Sequence, residues 1–210
     1  MKNQLDGKLY TELKTSDAAN DWAWKYYSDV LNMDPQSPLY ISIFSYTGSC
    51  SDHWNTLLRN FLTIEQGSFL KTSINFAKNT LEEIENIYHF LCQQTIPENI
   101  IVYRYTRLKD LKCLCGKKIL RPKMQFSDKA FFSTTLVRSL LRHFVSKKHC
   151  NCVLKLYLPQ GLPGAYVSFK DKRSHLDEQE ILLPCKTKFE ILKVHWLRFP
   201  VVIECKAIIK

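Results

Sequence analysis

The feature that most constrains this chain is a change of hydrophobic period near residue 97. Before it, apolar residues recur every three or four positions, the spacing of one helix face. Trp22, Tyr26 and Val30 share such a face behind an N-cap at Ser16 or Asp17, and Asp34-Pro35 ends that helix. Further helices are predicted around Leu39–Phe44, over Asp52–Phe61 (Trp54, Leu57, Leu58, Phe61) and over Phe69–Cys92 (Ile74, Ala77, Leu81, Ile84, Ile87, Tyr88). After it, short β-type runs alternate with turns: Ile100–Tyr105, Ala130–Thr135, Cys152–Leu158, Gly164–Phe169, Glu180–Leu183, Phe189–Leu197 and Val201–Ile209. One helix, Arg138–Val145, interrupts them. Helices first and strands second predict an α+β domain, with a helical part over about 1–96 and a β-rich part over about 97–210. There is no internal repeat and no low-complexity linker, so residues 1–210 read as one domain.

Thirty Lys and Arg against 20 Asp and Glu give a net charge of +10, which attracts anions of any kind. The charge is scattered, with clusters at Lys117–Lys123 and Arg138–Lys148, and no run is long enough to read as a nucleic-acid arm. No apolar run approaches the roughly 20 residues that span a bilayer. Met1-Lys2-Asn3-Gln4-Leu5-Asp6 shows no apolar core of a signal peptide. Four of the eight cysteines form Cys113/Cys115 and Cys150/Cys152. One intervening residue brings two sulfurs awkwardly onto one metal, so reduced, largely buried thiols are expected and no metal.

Three segments carry chemistry-bearing residues. Val102-Tyr103-Arg104-Tyr105 puts an arginine inside an apolar strand; it either keeps its head in water at a strand edge or meets a fixed anion such as phosphate or carboxylate. In Phe131-Phe132-Ser133-Thr134-Thr135, alternation places the Ser133 and Thr135 hydroxyls on one side. In Asp177-Glu178-Gln179-Glu180, a period of two points both glutamates the same way. Two like charges on one face are unfavourable unless they serve a cation, and the alternative is a solvated acidic loop.

In order and together, these segments resemble the arginine, serine, Glu-x-Glu core of the mono-ADP-ribosyltransferase toxin and effector family. The likeness extends upstream to Tyr46-Thr47-Gly48-Ser49 and Asn55-Thr56-Leu57-Leu58-Arg59, and downstream to Leu156–Gly164 (LYLPQGLPG), covering about residues 40 to 205. The resemblance implies two packed, mainly antiparallel sheets forming an NAD cleft, with the N-terminal helices banked against one of them. It implies NAD as substrate without a metal, and transfer of ADP-ribose to a target protein with release of nicotinamide. By the same likeness Arg104, Ser133, Glu178 and Glu180 are catalytic, and Asn55, Arg59, Arg104, Ser133, Thr135 and Glu180 bind NAD. Arg104 and Arg59 would hold phosphates, Ser133 would fix Glu180, Glu180 would stabilise the cationic ribose, and Glu178 would serve the acceptor. Glutamate at position 178 goes with arginine acceptors in the family, with serine or threonine as the alternative. The setting implied is a monomeric secreted toxin or effector acting on a protein in a host cytosol.

The sequence departs from the family pattern in three places. The middle motif is Ser-Thr-Thr, the loop Lys170–Leu176 lacks an aromatic-Pro-Gly pattern, and a basic helix bearing Arg138 and Arg142 follows Thr135. An inactive NAD- or protein-binding relative would not need the glutamate pair, and a basic nucleic-acid-binding domain gives no account of it. Trp22, Trp24, Trp54 and Trp196 are expected in packing, and the six histidines show no metal-ligand spacing.

Overall fold

The computed structural model describes residues 2–65, 68–71, 78–141, 150–169 and 178–209. Its helices are α1 (Ser16–Leu31), α2 (Pro38–Ser45), α3 (Ser51–Asn60), α4 (Lys78–Gln93) and α5 (Leu108–Leu114). Helix α1 is capped by Thr15, whose Oγ1 accepts from the Ala18 N–H at 3.3 Å, so the cap lies one residue ahead of the expected position. Ala19, Trp22, Ala23 and Val30 form its buried face. Ser37 caps α2, with Pro38 preset for the first turn. A single π-helical turn, Tyr46–Cys50, joins α2 to α3.

The strands are β1 (Lys2–Leu5), β2 (Lys8–Glu12), β3 (Leu62–Glu65), β4 (Ser68–Lys71), β5 (Ile100–Thr106), β6 (Gln125–Ser127), β7 (Phe132–Thr135), β8 (Cys152–Leu158), β9 (Ala165–Tyr166), β10 (Glu180–Leu183), β11 (Lys188–His195) and β12 (Val201–Ile208). The main hydrogen-bonded path runs β6-β11-β12-β8-β5-β7-β10-β9, with β2 also pairing β5 and β1 pairing β2. It falls into two mainly antiparallel portions. β5 matches β8 over seven register pairs but meets β7 through Tyr103↔Thr135 alone. The portions fold onto each other there: Phe132 of β7 packs 4.8 Å, ring centre to ring centre, from Phe189 of β11, which is not its sheet neighbour. Where the resemblance implies two packed sheets, the structure has one continuous sheet whose two portions pack on each other and are joined at one narrow seam.

Several elements escape the sequence reading. Asp6-Gly7, with φ of 50° and 74°, closes the β1–β2 hairpin; Asp-Gly suits such a turn because both residues need positive φ. β3 and β4 pair antiparallel, so Phe69 lies on a strand where the sequence predicts the opening of a helix. Residues 72–77, with the expected helix positions Ile74 and Ala77, lie outside the described ones, and α4 is described from Lys78. An apolar residue fits both periods, and the β-branched pair Thr63-Ile64 favours the strand. α5 and β6 have no counterpart among the predicted elements. The helix expected over Arg138–Val145 is a 3₁₀ turn at Arg138–Leu141, and residues 142–149 lie outside the described ones.

The core lies between the two portions and under the helices. β5 feeds it with Ile100 and Val102, while Ile101 and Tyr103 enter a smaller cluster with Tyr10, Val153, Tyr157 and Val202 on the opposite face. The N-terminal helix is tied down by polar contacts as well: Trp22 Nε1 donates to Glu98 at 2.8 Å and the Tyr27 hydroxyl to the Thr95 carbonyl at 3.2 Å. Gly164 in the LYLPQGLPG segment has φ +148°, and a Cβ there would stand 2.6 Å from Leu183 Cδ2 and 3.1 Å from the Leu182 carbonyl. Gly164→Ala should therefore cost about 2–3 kcal/mol, measured by urea denaturation. Gly161→Ala, at φ +83° with open space around it, should cost only about 1 kcal/mol.

Candidate functional site

β5 carries Arg104 on the same face as Ile100 and Val102, so the pleat aims the charge at the core junction. Its Nη1 donates to the Ser133 carbonyl at 2.7 Å, and its guanidinium sits 4.4 Å from the centre of the Phe132 ring. Burial pulls its pKa below the ordinary guanidinium value, against the attraction of Tyr46, Asp128 and Glu180. The guanidinium is half-buried, anchored by a neutral carbonyl and an aromatic ring rather than by the fixed phosphate or carboxylate that the sequence offers as the alternative to a head in water.

Arg104 lies on the wall shared by two adjoining cavities. One, of about 340 Å³, is lined by the π-turn residues Tyr46–Ser49 and by Asn55, Ser133, Thr135, Glu178 and Glu180. The other, of about 640 Å³, adds Arg59, Asp128 and the α5 side. Asp52, Asn55, Arg104, Tyr105 and Cys150 border both, so the two read as one cleft. Its size falls in the range of ligand sites, roughly 300–1,000 Å³.

Glu180 opens β10 in register with Thr135 of β7, with Leu182 opposite Ser133. Its carboxyl is almost fully buried, and burial first, then the nearby Glu178 charge, push its pKa up to about 7. The Ser133 hydroxyl donates to it, and this bond together with the Arg104 charge opposes the rise. The backbone is fixed too: Glu180 N–H donates to Ser168 Oγ at 2.7 Å, and its carbonyl accepts from Val167 N–H at 3.0 Å.

Glu178 reaches the same cavity by a route different from the expected pleat. Gln179 between the glutamates has φ +48°, so the segment is not a regular strand. The unusual conformation is held from inside. Gln179 is fully buried; its Oε1 accepts from the Tyr166 hydroxyl and its Nε2 donates to Asn20 Oδ1 of α1, both at 3.0 Å. Its carbonyl accepts from Leu136 N–H at 2.9 Å. Gln179, Ser168 and Asn20 are thus supporting residues that sequence reasoning misses; a polar residue between two acids is the only available signal.

The remaining expected residues are brought to the cleft with partners of their own. Asn55 Nδ2 donates to the Tyr46 hydroxyl at 3.0 Å. Arg59 grips Asp128 with two bonds, Nε to Oδ1 at 2.9 Å and Nη2 to Oδ2 at 2.7 Å. Burial alone would raise the Asp128 pKa, but the Arg59 fork and the Ala130 N–H hold it below the usual carboxylate value. The Thr135 hydroxyl accepts from Val137 N–H at 3.3 Å. The loop 170–177, Arg142, His143, His149 and His175 lie outside the described residues. Trp22 and Trp54 are buried as expected, whereas Trp24 and Trp196 are largely exposed, at 44% and 46%. Of the thiols only Cys152, Cys185 and Cys205 are buried; Cys92 and Cys113 are exposed, and none is in a disulfide. No group of three or more His, Cys, Asp or Glu residues among the described ones is arranged to hold a metal ion.

Gln179→Leu leaves Asn20 and Tyr166 facing an apolar side chain and should cost about 2 kcal/mol. A double-mutant cycle with Asn20→Ala, read by urea denaturation, should give less than the sum of the single losses. Strict additivity would detach α1 from this support.

The fold is shared with proteins of known structure. The fold is similar to C3stau2 from S. aureus, solved with NAD: 19% identity, TM-score 0.72, covering 96% of this chain and 99% of that one. It is similar to an ADP-ribosyltransferase from Clostridium botulinum: 18% identity, TM-score 0.68, covering 95% of this chain and 99% of that one. It also matches BECa, an ADP-ribosylating toxin of a C. perfringens binary enterotoxin, solved with NADH: 22% identity, TM-score 0.68, covering 99% of this chain and 54% of that one. No curated protein matches the chain in sequence. The family model described as ADP-ribosyltransferase exoenzyme matches residues 19–198, and the chain belongs to that family.

Proposed function

We propose that the cleft binds NAD⁺ and that Arg104, Ser133, Glu178 and Glu180 carry the transfer of its ADP-ribose to a protein side chain. The observation that carries this reading is the buried Glu180 carboxylate, fixed by Ser133 and flanked by Arg104 and Glu178 in one cavity. The presence of NAD in C3stau2 and NADH in BECa supports it. Asn55 and Thr135 line the dinucleotide site, and Arg104 and Arg59 face its pyrophosphate, with Asp128 keeping the Arg59 fork in place.

As the bond between ribose C1′ and the nicotinamide nitrogen breaks, its electron pair leaves with nicotinamide and positive charge grows on the ribose. A preorganised carboxylate that is poorly solvated stabilises that charge strongly. This is the role proposed for ionised Glu180. The acceptor nitrogen or oxygen then forms the new bond to C1′ and gives up a proton, which Glu178 accepts. A carboxylate at 178 pairs with a guanidinium, so arginine is the proposed acceptor. The chain acts in this reading as a monomeric secreted toxin or effector on a host protein.

The assignment fixes a pH dependence. Burial and Glu178 raise the Glu180 pKa to about 7, so the working ionised form is lost as pH falls through that value. NAD⁺ hydrolysis should rise on an acid limb near pH 7, and Glu178→Gln, removing the neighbouring charge, should move the limb to lower pH while hydrolysis persists. Glu180→Gln should lower hydrolysis about 10²–10³-fold, yet melt at or above the wild-type temperature at pH 8. A buried carboxyl with a raised pKa opposes folding once it is ionised. In a eukaryotic lysate Glu178→Gln should lose protein labelling, and mass spectrometry should place the wild-type label on arginine. Label on serine or threonine would overturn the acceptor assignment, and an acid limb near pH 4.5 the role of Glu180.

A further inference from the structure

The turn between β11 and β12, His195-Trp196-Leu197-Arg198-Phe199-Pro200, exposes three large apolar side chains within four residues. Leu197 is 103% exposed, Phe199 90% and Trp196 46%. Elsewhere among the described residues, exposed large apolar side chains are more dispersed or less exposed, which is ordinary for a protein surface. This tip is not a loose end. Below it His195 Nε2 meets Glu204 Oε1 at 2.6 Å, the Tyr157 hydroxyl donates to Glu204 Oε2 at 2.9 Å, and Val201 N–H donates to the Asn151 carbonyl at 3.0 Å. A braced hairpin therefore presents an apolar end that nothing among the described residues covers.

The charges around the tip are mostly positive. Arg198 lies within it, and Lys193 is exposed one turn of pleat below. The start of α5, with Arg107 and Lys109, is tied to the same base by the Leu108 N–H, which donates to Asn151 Oδ1 at 2.9 Å. The nearby acids are engaged: Asp110 by Arg107 at 2.6 Å, and Glu204 by His195 and Tyr157. The chain as a whole carries +10.

We propose that this tip is a peripheral membrane anchor that dips into the surface of an anionic bilayer. A side chain exposed on all sides needs a partner that surrounds it, and a fluid interface does so where a flat protein face would cover only its end. Tryptophan and phenylalanine suit the headgroup boundary, and flanking Lys and Arg add attraction to acidic lipid. The anchor stands at the same end of the sheet as the cleft. Val201 and Thr106 both pair with Cys152, and Cys150, two residues away, lines the cavity that holds Arg104. A molecule seated by this tip would work on proteins at a membrane surface.

The test is co-sedimentation of the full chain with phosphatidylcholine vesicles with and without phosphatidylserine, in low salt. Wild type should bind the vesicles containing phosphatidylserine, with a blue shift of emission that is missing from Trp196→Phe, and added salt should weaken the binding. Leu197→Ser/Phe199→Ser should lose at least tenfold in vesicle affinity, with unchanged melting temperature and unchanged NAD⁺ affinity. Absence of wild-type binding, or equal binding by the double variant, would overturn the proposal. So would a concentration-dependent dimer that the double variant dissolves, since the tip would then seat a second copy.

Discussion

The arrangement depends on one half-buried cation. Arg104 sits where the two sheet portions meet, and its Nη1 ties β5 to the Ser133 carbonyl of β7 while its guanidinium carbon lies 4.4 Å from the centre of the Phe132 ring. Only the Tyr103↔Thr135 register pair joins the same strands through the backbone. The side chain thus closes a seam that main-chain pairing leaves almost open. A guanidinium suits the place because it is planar, always charged and only weakly hydrated. The cleft forms at that seam because the strands diverge there.

Around this cation the protein keeps a carboxyl in an environment that resists its ionisation. Burial raises Glu180, and Ser133 and Arg104 hold it close to the value where both protonation states are accessible near neutral pH. Such tuning is common where a carboxylate must stabilise charge at neutral pH. The support reaches far along the chain: Ser168 fixes the Glu180 backbone, and Gln179 ties the acidic segment to Asn20, 159 positions away in sequence. The N-terminal helix is therefore part of the framework of the site. Asp128 does similar work for Arg59, two of whose five N–H donors it occupies.

Much of this is legible in the sequence, for identifiable reasons. The runs Cys152–Leu158 and Glu180–Leu183 stand as read, because apolar runs of four to seven residues bounded by turns are too short for a helix. Arg104, Ser133, Glu178 and Glu180 can be grouped because their order along the chain matches the family, and the fold brings them to one cavity. What stays hidden depends on contacts distant in sequence or on unusual backbone. The pleat argument puts Glu178 and Glu180 on one side, and they do line one cavity, but by another route, since Gln179 turns left-handed between them. Arg59 gives no hint of Asp128, 69 residues on. The Asp6-Gly7 hairpin carries its signal in the dipeptide, yet the predicted elements omit it. Trp196, assigned to packing by its residue type, is instead part of an exposed tip.

The most direct test of the account is calorimetric titration of NAD⁺ into the wild-type protein and Arg104→Lys, with nicotinamide release followed in parallel. Lysine keeps the charge but lacks the planar fork that can grip Ser133 and pyrophosphate oxygens together. The account predicts saturable binding by the wild type and at least tenfold weaker binding by the variant, with release falling alongside. Equal affinity and equal release in the two proteins would contradict it.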